Sequence, residues 1–150
     1  MTKGSWLGYI AAFLMWAVVL ALGLWFMLIG REGLLGALSA FYVGDSLPRA
    51  WQVRFLDKVF WIVLGLLWMV LMVVGEEYLR RGVAERDLLK RFAKIVGPEL
   101  LLIFAVDLFL FWLQGFGGLS WMRWLILGGE LLIGVGLVLF VRSSRTLASG

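Results

Sequence analysis

Residues 100–141 read LLLIFAVDLFLFWLQGFGGLSWMRWLILGGELLIGVGLVLFV. Two apolar runs flank a glycine-rich turn containing Gly115, Gly117 and Gly118, and the only charges are Asp107, Arg123 and Glu130. Neither run alternates like a half-buried strand, and neither carries the polar face of a water-soluble helix. Such segments are apolar all round, as a helix in hydrocarbon must be. A hydrocarbon core about 30 Å thick takes roughly 20 helical residues. The stretch therefore predicts an antiparallel pair of membrane-spanning helices at about 98–114 and 121–141. Pro98 suits the first position of the earlier helix and Glu99 its first turn, while Ser120 suits the cap of the later one.

The same logic extends toward the N-terminus. Trp6 to Ile29 is uncharged over 24 residues. That run is longer than the apolar part of a secretory leader, and the small residues Ala37-Leu38-Ser39-Ala40 lie well beyond it. It is expected to be a retained span, tilted or protruding because it exceeds the core thickness. A further span is expected at 55–75. The fold class is an all-α integral membrane protein, one four-helix transmembrane domain over 1–150.

Two connections carry structure of their own. Residues 33–43 are apolar but too short to cross, which predicts a segment that lies at the interface or packs back on the bundle, broken by Pro48. Residues 79–96 hold Arg80, Arg81, Arg86, Lys90, Arg91 and Lys94, with Leu88, Phe92 and Ile95 repeating on one side. That pattern predicts a cytoplasmic amphipathic helix at the lipid interface. Glu76/Arg80, Glu77/Arg81 and Asp87/Arg91 are acid-before-base pairs four apart, which favour helix.

Composition narrows the chemistry. Hydrophobic residues make up 63% of the 150 positions, against roughly 45–50% in a soluble domain. Cys and His are both absent. That removes thiolate nucleophiles and iron–sulfur ligation, together with the commonest haem and zinc ligand and the usual general base. No enzyme activity, cofactor or metal site is expected. The net charge of +4 is read as topology, with no nucleic-acid partner. Lys3, the six cations from Arg80 to Lys94, Arg142 and Arg145 lie on one side of the four spans. Arg31, Arg49, Arg54, Lys58 and Arg123 lie on the other. Lys and Arg collect on the cytoplasmic face, so both termini are expected inside, in a bacterial inner membrane with anionic phospholipid headgroups against the cytoplasmic cations. Trp112, Trp121 and Trp124 would mark the outer interface, while Trp16 and Trp68 fall near mid-span. Gly4/Gly8, Ala17/Ala21, and Gly128, Gly129, Gly134 and Gly136 have the spacing of close helix contacts.

The candidate site is the pair of intramembrane acids. Counted from the turn, Asp107 and Glu130 fall at nearly equal depth, with Gln114 and Arg123 each seven residues nearer the turn. Positions seven apart share a helix face. The expected site is a polar seam of Asp107, Gln114, Arg123 and Glu130. Each acid costs about 2.5–3.5 kcal/mol at mid-span, which its apolar neighbours outweigh. An intramembrane carboxyl either fastens helices by hydrogen bonding or carries a proton or cation. No other acid, His or Lys continues a relay across the bilayer, so fastening is favoured.

Two short matches bear on function. Glu76-Glu77-Tyr78-Leu79-Arg80-Arg81 resembles the EExxxR motif of the CAAX-protease and bacteriocin-processing family, which also needs downstream histidines that this chain lacks. The four-span layout, with Gly75 followed by Arg80-Arg81-Gly82, resembles the small membrane subunit of tripartite periplasmic (TRAP) transporters. That resemblance implies a transport role, and in a transporter subunit Asp107 and Glu130 would be the proton or cation site; the family's usual His is replaced by Val83 and Ala84. The expectation from the residues themselves is a non-catalytic accessory or scaffolding subunit, packing helices and lipid around the other subunits of a membrane complex. Respiratory and photosynthetic complexes are natural hosts.

Overall fold

The computed structural model describes residues 3–41, 47–114 and 121–146, all but a short turn helical. Four helices run in sequence: α1 (Lys3–Phe41), α2 (Leu47–Ala84), α3 (Leu88–Gln114) and α4 (Trp121–Thr146). Each contains a segment long and apolar enough to cross a membrane.

The helices differ from the expected spans at their ends. The segment 33–43 does not form a separate interfacial piece: α1 continues unbroken to Phe41, and residues 42–43 lie outside the described residues. The glycines there do not break the helix because each seats a neighbour. A Cβ on Gly30 would meet Phe60, one on Gly33 would meet Val106, and one on Gly36 would meet Leu113. Pro48 lies in the first turn of α2, where a missing N–H costs no hydrogen bond. The expected amphipathic helix at 79–96 is divided. Its first part completes α2, and from Leu88 onward it belongs to α3. Pro98 is accordingly inside α3 rather than at its start. An interior proline costs about 3 kcal/mol or more. Here the helix is held on both sides of it, by α2 near Leu88 and by α4 beside Gly97.

The break between α2 and α3 comes from backbone geometry. The Asp87 N–H donates to the Gly82 carbonyl at 2.9 Å, and Arg86 between them adopts φ 58°. This is the six-to-one closure of a Schellman helix end, whose left-handed position normally belongs to glycine. Gly82 is needed for the tight approach, since a Cβ there would lie 3.0 Å from the Leu88 Cα. A non-glycine residue in the left-handed region costs about 1–2 kcal/mol. Arg86→Gly is therefore expected to raise thermal stability in lipid-free detergent by roughly 1 kcal/mol; a lowered unfolding midpoint would show that the Arg86 side chain contributes more to the fold than its backbone costs.

The bundle is not closed. α1 packs on α2 and α3, α3 also packs on α2 and α4, and α4 rests mainly on α3. The α1–α2 contact is fastened by two indoles: Trp16 Nε1 donates to the Met72 carbonyl (2.9 Å) and Trp68 Nε1 to the Leu20 carbonyl (3.2 Å). These bonds explain why two tryptophans sit near mid-span. At the other end Arg31 and Asp57 form a two-pronged ion pair at 2.8 and 3.2 Å. In the α3–α4 hairpin, Gly97 sits against Val138 and Gly134 against Leu100 and Leu101. Among the expected small-residue contacts, Gly8 seats Val83 and Gly134 seats α3. Gly128, Gly129 and Gly136 have open space beside them, and Ala17 and Ala21 are exposed.

Candidate functional site

Because α4 leans away from α1, a groove opens between them with α3 as its floor. Its cavity of about 500 Å³ is lined by Trp25, Arg31, Glu32, Asp107, Phe111 and Arg123, among others. The register set by Gly97 and Gly134 brings Asp107 and Glu130 within about one helical turn in depth, as the hairpin arithmetic predicts. Asp107 lies within electrostatic reach of Arg123 and Glu32, and Glu130 within reach of Asp107. The Arg123 guanidinium stacks over Phe111 at 5.6 Å.

Three members of the expected seam therefore come together. Gln114 ends α3, but its side chain lies outside the described residues, as do the turn glycines and Ser120. The three are neighbours without being direct partners. The ion pairs among the described residues join Arg31 to Asp57, Arg80 to Glu76, Arg81 to Glu77 and Arg91 to Glu85, and none joins Asp107, Arg123 or Glu130. One carboxylate oxygen of Glu130 is buried with no hydrogen-bond partner in the chain.

Two features were not anticipated. The first is the contribution of α1: Arg31 and Glu32 enter the groove because α1 extends past residue 29, and Arg31 is tied down by Asp57 across 26 residues of sequence. The second is Glu99. Once α3 starts at Leu88, Glu99 is three turns inside a helix. It packs against Gly23 of α1, with Oε1 3.2 Å from where a Cβ would stand, and Trp68 and Leu71 of α2 border the same spot. Its Oε2 is buried and unpartnered, like that of Glu130. The sequence carries the signal, but Pro98 reads as a helix start and makes Glu99 a terminal acid.

The basic cluster resolves into two groups. Arg80 and Arg81 reach their i−4 partners at 3.9 and 2.9 Å. Arg91 does not pair with the Asp87 carboxylate. Its guanidinium turns back to bind Glu85, donates to the Tyr78 carbonyl at 3.0 Å and stacks on the Tyr78 ring, because the tight turn brings the end of α2 nearer than its own helix face. Arg86, Lys90 and Lys94 have no carboxylate partner among the described residues.

The arrangement offers charged and hydrogen-bonding groups along an apolar groove. Among the described residues no three carboxylates gather closely enough to hold a metal ion. Comparison with protein-family models, with curated proteins and with solved structures gives no match to this chain.

Proposed function

We propose that this is an integral membrane protein of a bacterial inner membrane, with both termini cytoplasmic, serving as a non-catalytic accessory or scaffolding subunit of a larger membrane complex. The observation that carries this is the open groove between α1 and α4. A closed bundle would cover Asp107 and Arg123; here they line a gap between α1 and α4, with Glu130 buried beside it. Facing lipid, each such charge costs about 2.5–3.5 kcal/mol. A partner helix carrying hydrogen-bonding side chains relieves that cost. Mild detergent extraction and identification of co-migrating chains test the proposal: a second polypeptide in fixed ratio supports it.

Glu99 supports a second role, a transporter subunit. It lies in depth between the acids at the inner end of α2 (Glu76, Glu77) and the Asp107–Glu130 pair. Carboxyls spaced through the bilayer are the groups by which transporters bind coupling protons or cations.

A further inference from the structure

The other end of the bundle holds a second and larger recess, about 1020 Å³, lined by Tyr9 and Met15 of α1, Val83 of α2, Arg86 and Asp87 at the α2–α3 turn, Lys90 of α3 and Phe140 of α4, among others. We propose that this recess binds a phospholipid with a singly anionic headgroup from the cytoplasmic leaflet, a site that rests on the membrane placement proposed above.

Three observations favour that occupant over water or a protein segment. First, the recess is amphipathic along its length. Arg86, Asp87, Lys90 and Tyr9 lie toward the helix ends, while Met15 and Phe140 belong to the apolar stretches. A headgroup and an acyl chain have the same order. Second, these are free charges. Arg80, Arg81 and Arg91 are each held by a carboxylate of this chain, whereas Arg86 and Lys90 have none among the described residues. Third, the balance is specific. Among the described lining residues two cations face one carboxylate, Asp87, leaving an excess of one positive charge that one phosphodiester neutralises. A zwitterionic headgroup brings its own cation back against Arg86 and Lys90. The six cations of the basic cluster thus divide by role, and only two of them would read headgroup charge in this recess.

The test uses the full chain purified in a neutral detergent, titrated with phosphatidylglycerol or phosphatidylcholine and read by native mass spectrometry. Phosphatidylglycerol is expected to bind more tightly. The double variant Arg86→Gln/Lys90→Gln should lose that preference, by about fivefold for each cation near a lipid surface. Arg80→Gln/Arg81→Gln removes the same formal charge from the paired cations and should leave the preference intact, while Asp87→Asn should strengthen it. Equal losses in both double variants would overturn the proposal in favour of diffuse surface charge, and so would equal affinity for the two lipids. Extraction of the untreated chain from membranes by carbonate would instead mark failure of the membrane placement itself.

Discussion

Gly134→Leu is expected to detach α4 from α3, whereas Gly136→Leu, two positions along the same helix, leaves the fold intact. A Cβ on Gly134 would stand 3.1 Å from Leu101 and 3.4 Å from the Leu100 Cβ, and the reciprocal contact places a Gly97 Cβ 3.0 Å from Val138. A leucine there must displace packed side chains and the helix behind them, which typically costs 1–3 kcal/mol, about 3 here because α4 has little other support. Beside Gly136 there is open space. Thermal unfolding in detergent should show a lowered midpoint for Gly134→Leu and Gly97→Leu and an unchanged one for Gly136→Leu. If the outer face of α4 docks a partner, Gly136→Leu instead reduces recovery of the assembled complex. Equal unfolding midpoints for the Gly134 and Gly136 variants would contradict the α3–α4 register.

The second large effect concerns the acids. Asp107→Asn/Glu130→Gln is expected to keep the complex intact, with partner recovery within about twofold of the parent, because amides retain hydrogen-bonding capacity. Asp107→Leu/Glu130→Leu should lose partner at least tenfold, since partner groups once bonded to the carboxyls are left unsatisfied at about 1–3 kcal/mol each. A coupling role predicts otherwise: the amide pair, and Glu99→Gln alone, would abolish transport while assembly persists. The two roles separate on the amide variants.

Much of this architecture was legible in the residues. Four apolar runs gave four helices because each is apolar all round, without the alternation of a barrel strand, and a helix satisfies its own backbone in hydrocarbon. The shared depth of Asp107 and Glu130 followed from counting outward from one turn. What failed was local punctuation. The short apolar segment from Gly33 reads as separate from the first span, but packing of its glycines on neighbouring helices keeps it in α1, and Pro98 reads as a helix start but lies inside α3. Arg86 gave no warning of a turn, because its left-handed backbone is one a sequence would assign to glycine. Misplacing that break by about ten residues hid Glu99. The Arg31–Asp57 pair was illegible for another reason. It joins different helices, and no spacing rule links residues that far apart.

A native mass measurement on the particle extracted in mild detergent bears most directly on the central claim. The claim predicts a discrete complex in which this 16.9 kDa chain accompanies at least one different polypeptide in fixed ratio, and which dissociates when Asp107 and Glu130 are replaced by leucine. A stable particle built from this chain alone, unaffected by those leucines, would contradict it.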